Sequence, residues 1–401
     1  MNSILLSKNK YIFLAFLILC TCAVSRYLGG VYYYIILLIL SSFFILQQKN
    51  KRIYPNCLAI IIIAILSTLI NFFYTPSIFR PISRTMLLII VMVASAPIFN
   101  SSIIYEFRHK LFGGLAVGLT VVGVVSAYLA TRGWGYFGES IWIVGLSDFP
   151  NSLGYSLAVS VMFLSSNMSG AKWYIKIVII LLIGLCVWAV PLTGTRTALY
   201  SLPIFCLVYI FLVSKNFANI LKHIIVVGVL GGIFFSVIDL DMTIINRKNE
   251  AQTFLNNSRT SLLQDRIREF AEHPIFGIGT FVADTRWTPV NDNGNIETGN
   301  TFLMFLSMNG ILGFVNFMIM YLSLIFPFVK YILSRRRRGM ITRFEIFLSS
   351  IVLYNFISMM QMGILLNPGM YITAFNWLTF SLMYKPDIYL KNTDPNISYL
   401  K

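Results

Sequence analysis

The sequence predicts an all-α polytopic membrane protein of about twelve transmembrane helices, with one large outer loop that contains short helices. Three observations predict it. The 401 residues are 57% hydrophobic and only 11% charged, whereas a soluble domain carries about a quarter charged residues. Apolar runs can be drawn at 11–24, 29–46, 57–73, 85–99, 111–130, 152–167, 173–192, 197–213, 223–238, 310–333, 344–366 and 371–384, most of them near the roughly 20 residues that cross a bilayer. The net charge of +16 also falls on one side of such an arrangement.

The first run follows Lys8 and Lys10 and precedes no A-x-A-like cleavage site, so it reads as a retained anchor. The runs at 85–99, 152–167 and 371–384 are short and need flanking polar residues to complete a crossing. With the N-terminus in the cytoplasm and sides alternating, twenty of the 31 Lys and Arg residues fall inside, among them Arg108, Lys172, Arg335 to Arg338 and Arg343. Eleven fall outside, and six of these lie in the long loop, which the positive-inside rule does not count. Both termini are thereby placed in the cytoplasm. The basic excess orients the chain rather than binding nucleic acid, and the Arg335–Arg338 run reads as an orientation signal rather than an anionic-lipid site. The chain divides as residues 1–238 with nine spans, an outer loop at 239–299, and residues 300–401 with three spans and a cytoplasmic tail, all in one integral-membrane domain.

What the spans lack narrows the function. Their central parts hold no Asp, Glu, Lys, Arg or His, which disfavours an ion-coupled carrier. There is no G-x-x-x-x-G-K-[ST] loop, which disfavours an ATP-driven pump. Cys20, Cys22, Cys57, Cys186 and Cys206 sit in apolar stretches without metal-ligand spacing, and His109, His223 and His273 are scattered, so no metal or other cofactor is expected. Chemistry at the outer face has no ATP and needs a substrate that carries its own activation, such as a lipid-linked diphosphate.

Four outer elements carry candidate chemistry. Around Ser261 to Gly279, Ser261 and Gln264 have capping-box spacing and predict a short helix near 262–272, ended by Pro274. On it Leu263, Arg266 and Phe270 share one face and Asp265, Arg268 and Glu272 another. Arg268 has carboxylates at i−3 and i+4. Arg266 has Leu262 and Phe270 at i±4, is less neutralised, and is favoured over Arg268 as an anion ligand. Gly277 and Gly279 permit a turn where backbone approaches a ligand. The second element, Pro191 to Ala198, opens the eighth span, with Thr195 as candidate N-cap and Arg196 in a first turn whose N–H groups and dipole favour phosphate. An arginine snorkelling to headgroups is the alternative for Arg196. The third, Asp148 to Gly154, starts the sixth span with Pro150 and Asn151. The fourth, Glu297 to Gly313, returns the loop to the membrane through Asn300, and Gly310 is placed to break the apolar stretch.

The series TGTRTALY, DRIREF, HPIFGIGTF and NTFLMFLSMNGILG resembles the O-antigen polymerase and O-antigen ligase superfamily of bacterial envelope glycan assembly, over most of residues 140–315. Arg266 to Gly277, and Arg268 to Gly279, also have the R-x10-G spacing of polymerases. The resemblance implies a GT-C-like membrane glycosyltransferase fold, metal-independent transfer from undecaprenyl-diphosphate-linked oligosaccharide at the periplasmic face, and contact with membrane lipids and a chain-length regulator protein. It assigns Arg196 and Arg266 to the donor diphosphate. Ligases carry a His before the Asn at the loop's return, where this chain has Gly299, which favours a polymerase. Glu297, Asp292 and His273 are candidates for the base, Glu297 lying nearest the ligase His position. Arg80 and Arg84 are candidates for a second diphosphate, with interfacial anchoring as their alternative. Two rivals stand: a ligase moving glycan to lipid A core or protein, and a flippase or exporter that does no chemistry.

Overall fold

The computed structural model describes residues 52–70, 79–136, 142–147, 149–168, 170–214, 218, 221–222, 225, 261–282, 284, 286, 299–366 and 371–385. A two-residue strand β1 (Arg52–Ile53) leads into α1 (Pro55–Ile70) and α2 (Phe79–Ser95). Strand β2 (Phe99–Asn100) pairs antiparallel with β1, then come α3 (Ser102–Thr131), α4 (Pro150–Met168), α5 (Trp173–Leu192) and α6 (Arg196–Val213). Residues 261–272 form α7, followed by α8 (Thr301–Arg337), α9 (Arg343–Gln361) and α10 (Tyr371–Met383).

Nine of the twelve apolar runs coincide with α1–α6 and α8–α10. The runs at 11–24 and 29–46, and all of 223–238 except Ile225, lie outside the described residues, as does the start of the loop at 239. Five of the helices are long and apolar enough to cross a membrane: α3 over Ile104–Thr131, α5, α6, α8 and α9. The chain is a multi-pass membrane protein built of helices.

α4 is the centre of the described bundle and packs on α3, α5, α6 and α9. Ser156, Ser160 and Ser166 are tolerated in its buried body because each hydroxyl donates to the carbonyl four residues back, at 2.7 to 3.0 Å. Small residues let α3 and α4 approach closely. A Cβ on Gly123 would collide with Ser160. α8 lies along α1, and α10 against α2 and α3.

α3 starts nine residues before its apolar run and so carries Arg108 into the protein. The side chain is buried and donates to the Ala94 and Phe99 carbonyls, at 3.1 and 2.9 Å, and to Ser381 Oγ at 2.9 Å. It covers the carbonyl end of α2 with a positive charge, where the helix dipole favours one. At this same end of the bundle, His109 packs against Phe344 of α9, ring centroids 4.2 Å apart. Thr342 and Glu345 form a reciprocal capping box, and Arg335 donates to Glu345 at 3.0 Å. Arg336 donates to the Phe211 and Ser214 carbonyls that end α6. The basic end therefore gathers the starts of α3 and α9 with the ends of α2, α6 and α8. The opposite end gathers the starts of α4, α6 and α8.

Candidate functional site

At that opposite end the four sequence elements meet. α6 begins at Arg196 with Thr195 as N-cap in extended backbone, as its sequence predicts, but the Thr195 side chain makes no cap hydrogen bond. Its hydroxyl is directed across to α4, 3.2 Å from the Pro150 carbonyl and 3.4 Å from Asn151 Oδ1. The approach requires Gly154, where a Cβ would collide with Thr195. One residue past Arg196, Thr197 Oγ1 donates to Gln361 Oε1 at 2.5 Å and so draws in the end of α9. The next carbonyl, of Met362, accepts from Thr301 Oγ1 at 2.7 Å, which fixes the start of α8. A Cβ on Gly299 would lie 3.8 Å from Leu262 and Leu263, so α7 closes the series.

Arg196 sits half-buried in the middle of this junction. Among the described residues no hydrogen bond or ion pair holds its guanidinium. The first-turn N–H groups of α6, uncapped by Thr195, add the positive end of a helix dipole beside it.

Arg266 is placed differently. Its side chain exposes no surface, and Nη1 lies 2.7 Å from Oε2 of the equally buried Glu269. The other Glu269 oxygen accepts the Asp284 N–H at 3.0 Å. The expectation that Arg266 is the less neutralised arginine is thus corrected. α7 turns Leu262, Asp265, Arg266 and Glu269 inward, a face that recurs every three to four residues, and the carboxylate at i+3 sits on that face. Arg268 is 54% exposed and reaches Asp265 at 3.7 Å. Ser261 is already inside the helix and so cannot be its N-cap.

Electrostatics reinforce this layout. Burial lowers the pKa of Arg266, opposed by the charge of Glu269. Asp284 is held below the usual carboxylate range chiefly by the hydrogen bond from Arg286. That same bond raises the pKa of Arg286. Arg286 also reaches Glu272 at 2.6 Å, so Asp284 and Arg286 contact α7 at two points, through Glu269 and through Glu272.

The turn after α7 fills the break that the sequence predicts in α8. Gly310 has φ 65° and ψ −168° within α8. The freed groups on both sides find partners in residues 274–279. Ile278 and Gly279 donate to the Ser307 and Met308 carbonyls at 2.8 and 3.1 Å, and Ile311 donates to the Pro274 carbonyl at 2.8 Å. Ser67 of α1 bonds the Phe276 and Met308 carbonyls at 2.7 and 2.5 Å. A broken helix at membrane depth survives where protein satisfies its backbone. The close approach that Gly277 permits is to the backbone of Met308 and Asn309, where a Cβ would collide, and Gly279 is likewise buried.

Asn300 caps α8 by accepting the Leu303 N–H at 2.7 Å. Arg84 is half-buried on α2, and Asn151 half-buried on α4. His273 is part of the turn, its carbonyl accepting from Gly277. The Arg80 side chain, Asp148, Asp292 and Glu297 lie outside the described residues. Gln361 is the contact that sequence reasoning missed. The available signal was a primary amide near the end of an apolar run.

Residues 178–318 match the model of the O-antigen ligase family. The matched stretch contains Arg196, α7, the 274–279 turn and the start of α8, and leaves out Asp148–Gly154. No match to the chain is found among curated proteins. The family match therefore falls on the stretch that carries Arg196 and α7, and it agrees with the superfamily that the sequence resembles.

Proposed function

We propose that the protein is a glycosyltransferase of the O-antigen polymerase type, transferring a growing glycan from undecaprenyl diphosphate to the non-reducing end of another lipid-linked repeat at the periplasmic face. The observation that carries the reading is the half-buried Arg196, without a partner among the described residues, at the meeting point of α4, α6, α8 and α9. Such transfer needs charge stabilisation on the departing diphosphate, a base near the acceptor hydroxyl and an apolar path for the lipid. Arg196 and the α6 N-terminus serve the first need. A guanidinium can do so without a metal, because its planar donors match phosphate oxygens two at a time.

Arg266 has a supporting task in this reading. Drawing it from Glu269 to a ligand would leave a buried carboxylate unpaired, which costs several kcal/mol. Its pair with Glu269 instead ties α7 to Asp284, whose backbone N–H donates to the same carboxylate. Glu297 remains the proposed base, from its place just before the return of the loop.

The second reading, a ligase that moves glycan to lipid A core or protein, is favoured by the ligase-family match. Gly299 in place of a ligase-type His favours the polymerase. Cells lacking the gene separate the two. Loss of a polymerase leaves single repeats on the acceptor, whereas loss of a ligase leaves the acceptor bare while lipid-linked polymer accumulates. Complementation with Arg196→Ala is expected to leave chains at one repeat with protein levels in the membrane unchanged. Normal chain lengths from that variant would contradict the assignment of Arg196.

A further inference from the structure

We infer that Gln361 and Asn151 are phosphate-binding residues that flank Arg196, each aligned by a threonine next to that arginine. The inference rests on the reading of Arg196 as the diphosphate contact and extends it to two carboxamides and the hydroxyls that aim them.

A neutral carboxamide carries one acceptor oxygen and one NH2 with two donors. What it offers a ligand depends on which of the two the protein already uses. At this junction the protein uses the oxygens. Thr197 Oγ1 donates to Gln361 Oε1 at 2.5 Å. Thr195 Oγ1 lies 3.4 Å from Asn151 Oδ1, sharing its proton between that oxygen and the Pro150 carbonyl at 3.2 Å. The two threonines bracket Arg196 in the sequence, so the hydroxyls on either side of the guanidinium engage the oxygens of two amides from different helices.

The consequence is a set of donors with no matching acceptor. Among the described residues neither NH2 group has a hydrogen-bond partner, and neither has the guanidinium of Arg196. Gln361 is exposed, and Asn151 and Arg196 are half-buried, so all three reach solvent at this end of the bundle. Donors on either side of Arg196 that have no acceptor among the described residues suit an anion rich in oxygen. A diphosphate fits better than a sugar, whose hydroxyls ask for acceptors as well as donors. Amides contribute direction without adding charge, so the spent diphosphate dissociates after transfer more easily than from a cluster of arginines.

The test measures binding of undecaprenyl diphosphate to the purified full-length protein in a neutral detergent, with phosphatidylglycerol as the rival phosphate source. Gln361→Ala is expected to weaken binding about tenfold, the low end for a hydrogen bond to a charged acceptor. Gln361→Glu is expected to weaken it further by placing a like charge beside the phosphate. Thr197→Val should lose several-fold although it touches no ligand, and Thr197→Ser, which keeps the hydroxyl, should restore affinity. A purely structural role for Thr197 would lower stability in Thr197→Val while leaving the affinity of the folded protein unchanged. Wild-type affinity in both Gln361→Ala and Thr197→Val, with Arg196→Ala impaired, overturns this inference alone. Wild-type affinity in Arg196→Ala as well overturns the diphosphate site itself. Equal affinity for phosphatidylglycerol overturns the assignment to a diphosphate. Gln361 is exposed and contributes little to packing, so its variants decide the matter even where Thr197→Val fails to fold.

Discussion

The two arginines that the resemblance assigns to the donor diphosphate have opposite environments, and the difference lies in which atoms surround them. Arg266 is enclosed with Glu269, and Arg196 is open at a helix start. Removing one partner of a fully buried pair leaves an uncompensated charge, which costs about 3–5 kcal/mol. Glu269→Ala is therefore expected to lower thermal stability in detergent sharply. Arg268→Ala, which loses only a largely exposed contact at 3.7 Å, is expected to change stability by about 1 kcal/mol or less. Equal midpoints for the two variants would contradict the buried pair. The sequence made Arg196, its Thr195 cap and the Asn151 start legible, because they are local signals at the edge of an apolar run. It left Glu269 illegible as a partner. Charges stand on every side of α7, and periodicity alone does not tell which charged face the tertiary structure will bury. Gln361 was hidden for a related reason: its neighbour Thr197 is 164 residues away in sequence.

Among the elements, the junction between α7 and α8 depends on two glycines in left-handed backbone that touch each other's chain. Gly277 has φ 72° and Gly310 has φ 65°. A Cβ on Gly310 would collide with the Ile275 carbonyl, and one on Gly277 with Met308. Strained backbone costs about 1–3 kcal/mol, and overpacking a filled interface costs a further 1–3 kcal/mol or so. Gly310→Ala and Gly277→Ala should each expose residues 274–279 to limited proteolysis and reduce activity without touching Arg196. Gly339→Ala is the control, since its φ is also positive at 66° but a Cβ there meets nothing. It should stay protease-resistant and active, and sensitivity equal to the other two would contradict the clasp. A break at Gly310 was readable from a glycine inside a long apolar stretch. That the 274–279 turn fills the break was not, because backbone hydrogen bonds between distant segments leave no mark in side-chain pattern.

Over the whole molecule, composition alone fixes a multi-pass helical membrane protein, and the helices reproduce nine of the apolar runs. The basic end shows that charges counted for orientation also have structural duties. Of the four consecutive arginines, Arg335 pairs with Glu345 and Arg336 holds the end of α6, lying 3.9 Å over the Phe211 ring. The junction at the other end was only partly legible. Its members were visible one at a time, but their meeting comes from α4 standing at the centre of the bundle. The short run at 152–167 was legible as a span, but its place at the centre follows from packing rather than hydropathy.

The central claim concerns chemistry at Arg196, and purified protein supplied with undecaprenyl-diphosphate-linked repeats tests it most directly. The account predicts a ladder of lengthened lipid-linked glycans with release of undecaprenyl diphosphate, without added metal or nucleotide, and loss of both products in Arg196→Ala. Substrate bound but unchanged by the wild-type protein, as for a flippase, or an undiminished ladder from the variant, would contradict it.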